Sequence, residues 1–232
     1  MAHFVVVVTG LLAEARLAQP LSGRAIAGGG DRVRLEAELD RALEDGAQAV
    51  LSFGLAGGLA PQRPPGTLLV PTLVISESEH YATDARWTQA MRCALGAADP
   101  GPVAGVDSPL FRPIDKAGLH KATGAVAADM ESHLVARLAL RARRPFAVLR
   151  VIGDPAERAL PPAALIGMRP DGHVNLAAVL ASLLRNPRQL PDLMRVASDV
   201  RIAMSALTRC RRALGPQLGW VTADRTAGSA VQ

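Results

Sequence analysis

The fold is decided by the stretch Phe146-Ala147-Val148-Leu149-Arg150-Val151-Ile152-Gly153-Asp154. Its first seven residues contain one polar side chain, that of Arg150. Such an unbroken apolar run is typical of a parallel strand that is buried on both faces. We therefore predict a buried strand over residues 146–152 that delivers Asp154 to the edge of a sheet.

A second stretch, Ala127-Ala128-Asp129-Met130-Glu131-Ser132-His133, places two carboxylates where a short strand meets a helix. Asp129 is well placed to cap the helix, because a carboxylate at a helix start is favoured by the macrodipole. Glu131 lies between a buried strand and a buried helix face, so its charge needs a partner. The two hydroxyls of a ribose diol match one carboxylate, and we predict that Glu131 binds such a group.

Short apolar runs alternate with amphipathic segments along the rest of the chain. Further strands are predicted at 4–8, 49–53, 67–75, 103–106 and 125–128, and helices at 11–17, 31–45, 84–97, 130–140, 173–184 and 193–207. This alternation predicts a three-layer α/β/α fold with a mixed, mostly parallel central sheet. Ligands of such sheets bind beyond the carboxyl ends of the strands.

The composition excludes several classes of protein. The chain has 232 residues, of which 49% are hydrophobic and 20% charged, a balance typical of a globular domain. No apolar run reaches the roughly 18 residues of a membrane helix, and the start lacks a basic leader region. Cys93 and Cys210 are isolated, so we predict a cytoplasmic protein without disulfides. No histidine pair has zinc spacing, Gly28–Gly30 is not a dinucleotide fingerprint, and neither a metal nor a cofactor is predicted.

The positive charge is concentrated near the carboxyl terminus. Seven arginines and two aspartates lie between Arg185 and Arg212, which accounts for the whole net charge of +5. We predict a catalytic domain at 1–185 and a basic helical segment with a disordered tail, from Trp220 onward, at 186–232. The basic segment is either a solvated helix face or a peripheral contact with an anionic membrane surface. Binding of nucleic acid is not predicted.

Two further features of the strand ends carry chemistry. Gly54-Leu55-Ala56-Gly57-Gly58 follows a strand, where free backbone amides can face an anion, although a tight turn without a ligand explains the glycines equally well. Asp154 follows an apolar strand, and desolvation there raises a carboxyl pKa and favours a general acid. The alternative for Asp154 is an Asp-Pro turn that closes the strand.

Three of these motifs together resemble the purine nucleoside phosphorylase and methylthioadenosine/adenosylhomocysteine nucleosidase superfamily. The glycine loop with the following strand, residues 52–59 and 66–71, is similar to its glycine loop. Asp129–Ser132 resembles its ribose-binding Met-Glu motif, and Arg150–Ala156 its Arg-x-x-Ser-Asp motif. Within the superfamily the chain looks most like the hopanoid-associated phosphorylases, through residues 10–15, 129–133, 160–164 and 187–191.

The resemblance implies a substrate, a reaction and a set of site residues. It implies release of adenine from adenosylhopane in hopanoid biosynthesis, by phosphorolysis with phosphate as co-substrate. Met130 and Glu131 would hold the ribose, and Asp154 would protonate N7 of the purine. The catalytic residues expected are Asp154 and Glu14. The residues expected on the phosphate or nucleophile side are Gly10, Gly54, Gly57, Gly58, Arg24 and Arg150, and those at the base are Phe53, Asp107 and Ser108.

Some points stay open at the level of sequence. Leu55 and Gly153 replace two serines of the superfamily pattern, which leaves water as an alternative nucleophile and Glu14 as its possible activator. For Arg24 and Arg150, a structural ion pair is the alternative to a phosphate contact. The aromatic candidates for a base platform are Phe53, Tyr81, Trp87 and Phe111.

Rival functions are hydrolysis of methylthioadenosine or adenosylhomocysteine, and a non-catalytic module that binds a nucleoside or a lipid. A homo-oligomer is expected by analogy with the superfamily.

Overall fold

The structure is a computed structural model that describes residues 4–19, 23–77, 79–161, 182 and 186–220. The helix predicted at 173–184 lies outside these residues, apart from residue 182. The tail predicted from Trp220 onward lies outside them as well, apart from Trp220 itself.

Nine strands and six α-helices occur in the described part of the chain. The strands are β1 Val5–Thr9, β2 Gly23–Ala27, β3 Ala49–Gly58, β4 Leu68–Leu69, β5 Leu73–Ser76, β6 Glu79–Ala82, β7 Val103–Gly105, β8 Ala127–Asp129 and β9 Phe146–Asp154. The helices are α1 Leu12–Ala18, α2 Arg32–Glu44, α3 Ala85–Leu95, α4 Pro113–Thr123, α5 Ser132–Arg141 and α6 Leu190–Leu214.

All nine strands form one sheet. Seven lie in the order β2-β1-β3-β8-β7-β5-β6, and β9 pairs with β3 and β4. The pairs β1–β2, β1–β3, β3–β9, β5–β7 and β7–β8 are parallel. The pairs β3–β8, β4–β9 and β5–β6 are antiparallel. The predicted mixed, mostly parallel sheet is confirmed.

Helices cover both faces of the sheet. On one face, Val6 and Val8 of β1 pack with Leu35 and Leu39 of α2 and with Leu134 of α5. On the opposite face of β1, Val7 packs in a second cluster. This cluster also contains Trp87 and Met91 of α3 and Leu207 and Leu214 of α6. Because alternate residues of one strand enter two separate cores, the protein has the three layers that the sequence predicts.

The central strand β3 is longer than predicted. It continues from Ala49 through the glycine loop to Gly58, because the glycine segment pairs with β9 on one side and with β8 on the other. A register shift lies between Ala56 and Gly57. The prediction of a loop after Phe53 was therefore wrong, and the glycines are a bent strand end that other residues approach closely.

Four other parts of the chain differ from the sequence prediction. The strand predicted at 67–75 is two short strands, β4 and β5, separated by Pro71, which has no N–H for a ladder. The polar stretch 76–84, for which no strand is predicted, contains β6, which forms a hairpin with β5. Strand β2 and helix α4 were not predicted, because β2 has few bulky apolar residues and α4 has a weak apolar periodicity.

The helix of the basic segment packs on the catalytic core. Helix α6 buries Ala203, Leu207 and Leu214 in the same cluster as Leu149 and Val151 of β9. After the helix, the indole of Trp87 donates a hydrogen bond to the Leu218 carbonyl oxygen at 2.9 Å, and Trp220 contacts Trp87 edge to face. Trp220, placed by prediction in a disordered tail, is ordered by this contact. No helix among the described residues has the length and apolarity needed to cross a membrane.

Candidate active site

The candidate site lies where β1, β3 and β9 end and where the chain leaves β8. The end of β3 lies between the other strand ends, since Gly57 pairs with Asp154 of β9 and with Ala128 of β8. Two strand spacings separate the backbones of Asp154 and Ala128 by about 10 Å. Asp154 and the Met130-Glu131 pair therefore flank one short segment of glycine-rich backbone.

Glu14 lies under the glycine segment and is 2% exposed. Its Oε2 atom accepts hydrogen bonds from the amides of Gly10 and Leu11 at 3.0 and 2.9 Å, and its Oε1 atom accepts one from Leu55 at 2.8 Å. A Cβ on Gly54 would lie 2.7 Å from Oε2, which explains why a glycine is needed there. Burial raises the pKa of Glu14, while the Arg150 charge and the amide hydrogen bonds oppose the rise.

Arg150 is completely buried and joins the carboxylates of the site. Its Nη2 atom lies 3.2 Å from Glu131 Oε2, and its Nε atom lies 3.1 Å from Asp129 Oδ2. The guanidinium also donates to Ser52 Oγ at 2.6 Å and to the Leu55 carbonyl oxygen at 3.2 Å. One cation thus fixes the end of β3 and two carboxylates at once.

Asp129 organises the start of α5. Its Oδ1 atom accepts from the amides of Glu131 and Ser132 at 2.9 and 2.6 Å, and its Oδ2 atom accepts from Ser132 Oγ at 2.6 Å. The N-cap position of α5 is Glu131, so Asp129 is not the cap residue itself, but it accepts hydrogen bonds from two amides at the helix start and also pairs with Arg150. Asp129 thereby fixes the backbone from which the Glu131 side chain projects.

Glu131 is held in a region of high negative charge. Burial raises its pKa to about 7, the Arg150 charge opposes this, and the nearby Asp129 and Glu14 charges add to it. A Cβ on Gly10 would lie 3.1 Å from Glu131 Oε1, so the backbone after β1 runs directly beside the carboxylate. Glu131 can therefore exchange a proton near neutral pH and offer its oxygens to hydroxyl groups.

A cavity of about 210 Å³ opens beside Glu131. It is lined by Gly28, Gly30, Asp31, Arg32, Leu35, Asp107, Met130, Glu131 and Leu134. On its rim, Asp107 Oδ1 accepts from Arg32 Nη1 at 2.8 Å and lies 3.2 Å from His133 Nε2. The predicted ribose residues Met130 and Glu131 therefore face one cavity, and the predicted base residue Asp107 lies at its rim.

Asp154 is paired with a lysine that the sequence interpretation missed. Lys116 of α4 places its Nζ atom 2.5 Å from Asp154 Oδ2. Burial raises the pKa of Asp154, and the Lys116 charge and hydrogen bond oppose this rise. A Cβ on Gly57 would lie 3.5 Å from both carboxylate oxygens, so Asp154 lies against the glycine segment as predicted.

The four aromatic candidates for a base platform lie in different parts of the fold. Phe53 and Trp87 are buried in the apolar cluster on the α3 and α6 side of the sheet, so the prediction that Phe53 binds the base was wrong. Tyr81 donates its hydroxyl to Glu79 on the edge hairpin. Phe111 is half-buried, and its carbonyl oxygen accepts a hydrogen bond from Leu160 at 3.0 Å, beside the loop that follows Asp154. Phe111 is thus the candidate that contacts the loop following Asp154.

Four other predicted site residues have different surroundings from those expected. Arg24 is exposed and pairs in register with Val6, three residues before the end of β2, so it lies away from the carboxyl edge. Arg150 is enclosed by carboxylates and does not reach the surface, so a direct contact with phosphate was a wrong expectation. Ser108 is exposed on the loop after β7. Gly58 contacts the backbone of Asp154 and Ala156, because a Cβ there would lie 3.2 Å from both.

The residues missed from the sequence are Ser52, Ser132 and Lys116. Ser52 and Ser132 are 3.0 Å apart and both contact Arg150, but isolated serines in apolar runs give no spacing signal. Lys116 has no spacing signal either, although it is conspicuous because only it and Lys121 are lysines among the 26 basic residues of the chain.

The fold and the site together define a class, that of three-layer α/β proteins with a carboxylate-lined ligand site at the carboxyl ends of their strands. Within that class, the comparison with family models identifies one family. Residues 5–185 match the model of the phosphorylase superfamily, and the chain belongs to that family. The predicted superfamily and the predicted enzyme class are therefore confirmed. A search of curated proteins finds no significant match.

Solved structures of the same fold include several nucleosidases. The 5′-methylthioadenosine/S-adenosylhomocysteine nucleosidase of Helicobacter pylori with butyl-thio-DADMe-Immucillin-A is similar with a TM-score of 0.64 and 16% identity, over 94% of this chain and 98% of that chain. The enzyme of the same name from Colwellia psychrerythraea, in complex with adenine, has a TM-score of 0.60 and 15% identity over 78% and 93%. Futalosine hydrolase of Helicobacter pylori has a TM-score of 0.59 and 17% identity over 66% and 88%.

Proposed function

We propose that this protein cleaves the N-glycosidic bond of an adenine nucleoside and releases adenine. The observation that carries the proposal is that Gly57 pairs with Asp154 of β9 on one side and with Ala128, three residues before Glu131, on the other, so both carboxylates belong to the same edge of the sheet. Membership of the phosphorylase superfamily and the likeness to nucleosidase structures support it.

Each carboxylate has a role suited to its surroundings. Glu131, oriented by Arg150 and by Asp129, accepts hydrogen bonds from the ribose hydroxyls. Asp154, whose pKa is raised by burial, gives a proton to N7 of the purine as the bond from C1′ to N9 breaks. The bonding electrons pass into the purine ring, and adenine leaves as a neutral base. General acid catalysis of this kind contributes about 10²- to 10⁴-fold.

The geometry on the nucleophile side favours water over phosphate. Backbone amides at the ends of β1 and β3 form a cradle suited to an anion, but Glu14 already accepts hydrogen bonds from Gly10, Leu11 and Leu55. An incoming phosphate would have to displace this buried carboxylate, and Arg150 is not accessible to it. A carboxylate with a raised pKa can instead take the proton of a water that attacks C1′, so we infer that hydrolysis is the reaction.

The finer assignment of the substrate rests on the sequence resemblance. It makes adenosylhopane the proposed substrate, with 5′-methylthioadenosine and S-adenosylhomocysteine as the alternatives. The resemblance also implies phosphate as co-substrate, and on this point the proposal departs from it, because the geometry favours water. The supporting residues within the described part of the chain are the motifs at 10–15, 129–133 and 187–191.

The test is a chromatographic assay of adenine release from adenosylhopane, 5′-methylthioadenosine and S-adenosylhomocysteine, each with and without phosphate. Equal rates without phosphate, with free ribosyl product, are expected for hydrolysis. A strict requirement for phosphate and a ribosyl 1-phosphate product would contradict the assignment of water and restore phosphorolysis. Tight binding of adenosine with no release from any of the three substrates would overturn the proposed activity in favour of a binding module.

A further inference from the structure

Lys116 is a buried cation whose hydrogen-bonding capacity is fully used. It is 1% exposed, and its Nζ atom donates to Asp154 Oδ2 at 2.5 Å and to the carbonyl oxygens of Pro155 and Arg158 at 2.9 and 3.1 Å. An ammonium has three N–H donors, and each of them has a partner here. A buried charge is tolerated only with such compensation, so the loop after β9 is built around this lysine.

The pairing leaves one side of the Asp154 carboxylate for a ligand. Oδ2 faces Lys116, while the side chain as a whole retains 20% exposure and lies against Gly57. The other charged group that acts on Asp154 is Arg158, whose guanidinium is paired with Asp199 of α6. Lys116 is therefore the cation in direct contact with the carboxylate, and Arg158 acts on it from a distance.

We propose that Lys116 is a positioning residue that orients Asp154 toward the leaving base and stabilises the negative charge left on it by proton donation. This inference rests on the proposed function. In the step concerned, the O–H bond of Asp154 breaks, its proton forms the N–H bond at N7, and the electron pair stays on the carboxylate. The ammonium keeps its three protons and balances the new charge. The proton lost by the attacking water replaces the one that Asp154 gave up, which restores the starting protonation of the site.

The charge of Lys116 has a measurable consequence in the enzyme–substrate complex. A general acid works only while protonated, so kcat falls as the pH rises through the pKa of Asp154. Burial raises that pKa and the Lys116 charge opposes the rise. Without the Lys116 charge, burial raises the pKa of Asp154 further, and the fall of kcat therefore moves to higher pH. A contact of this kind shifts a carboxyl pKa by about 1–3 units.

The experiment compares the pH profile of kcat for adenine release in the wild type, Lys116→Met and Lys121→Met. Lys121 lies on the same helix, is exposed, and provides the matched control. For Lys116→Met we expect the descending limb to move up by at least about one pH unit. We also expect the low-pH plateau of kcat to fall about 3- to 30-fold, because a weaker acid transfers its proton more slowly. Lys121→Met should reproduce the wild-type profile. Lys116→Gln, which retains an N–H donor for the carbonyls, is the second variant if Lys116→Met does not fold.

The outcomes distinguish this inference from the proposed function. If a Lys116 variant folds and loses rate while the descending limb of its kcat profile stays at the wild-type pH, the role of Lys116 is only structural. The inference is then overturned. If Asp154→Asn, measured alongside, keeps the wild-type rate and pH profile, the assignment of the acid fails and this inference fails with it, although adenine release stands. Absence of adenine release by the wild type would instead overturn the proposed function. A descending limb that moves to higher pH in the Lys116 variants, and not in Lys121→Met, supports the positioning role.

Discussion

Replacing Arg150 by methionine tests the electrostatic core of the site most severely. The side chain is fully buried and lies 3.1 Å from Asp129 Oδ2 and 3.2 Å from Glu131 Oε2, with Glu14 close enough to be affected by its charge. Methionine has a similar length and no charge, so the change leaves buried carboxylates without their cation. Removal of one partner from a buried ion pair costs about 3–5 kcal/mol. We expect this loss in the free energy of unfolding, or a fall of about 6–20 °C in the melting temperature for a chain of this size.

The loss should depend on pH with a definite sign. Glu14 and Glu131 have raised pKa values in the folded protein, against 4.5 for the ordinary carboxyl, so the native state binds more protons than the unfolded chain above that pH. Stability therefore falls as the pH rises through the folded pKa values, and removal of Arg150 raises these further. The destabilisation by Arg150→Met should be larger at about pH 8 than at about pH 5.5, where the carboxyls take up protons.

The assay is thermal and urea unfolding of the wild type, Arg150→Met and Arg41→Met at both pH values. Arg41 is exposed on α2, and its replacement should change stability by less than about 0.5 kcal/mol. A destabilisation by Arg150→Met below about 1 kcal/mol, or one of equal size at the two pH values, would refute the reasoning that the buried carboxylates depend on this cation.

Two further predictions concern the neighbours of this cation. Gly54→Ala should displace Glu14, because the new Cβ would lie 2.7 Å from its Oε2 atom, and should lower the unfolding free energy by about 1–3 kcal/mol together with the rate of adenine release. Gly118→Ala, in α4 with open space at its Cβ, is the control and should be neutral or slightly stabilising in the same unfolding and rate assays; equal effects of the two changes would contradict the close approach. Binding of adenosine to Asp154→Asn, which removes the titration of Asp154, should weaken as the pH falls through about 7, because protonated Glu131 accepts fewer hydrogen bonds from the diol. Calorimetric titration from about pH 5.5 to 8.5 checks this, and an affinity independent of pH would contradict it.

The sequence was sufficient for the sheet and for the two carboxylates at its edge. Apolar runs of β-branched and aliphatic residues predict buried strands, and β1, β3 and β9 are found close to their predicted positions. The short edge strands were less predictable, because β2 and β6 owe their structure to pairing with a neighbour and not to their own pattern. The same holds for the end of β3, whose glycines are in a strand since β8 and β9 pair with them.

The interior of the site depends on long-range contacts that no local pattern carries. Arg150 could be recognised as the one polar residue in a buried strand, but not its partners Ser52 and Ser132, which lie far away in the sequence. Lys116 reaches Asp154 from a helix 38 residues earlier, so only the fold reveals the pair. The aromatic residues show the same limit, since strand alternation sends Phe53 into the core, while Phe111 is brought to the loop after Asp154 by a hydrogen bond with Leu160, 49 residues later in the chain.

The central claim is that Asp154 protonates a leaving adenine, and the most direct measurement is single-turnover adenine release by the wild type and Asp154→Asn. Asparagine keeps the shape of the side chain and cannot donate a carboxyl proton, so we predict release about 10²- to 10⁴-fold slower. Asp45→Asn, exposed at the far end of α2, should match the wild type. A rate for Asp154→Asn within about threefold of the wild type, with adenosine still bound, would contradict the account.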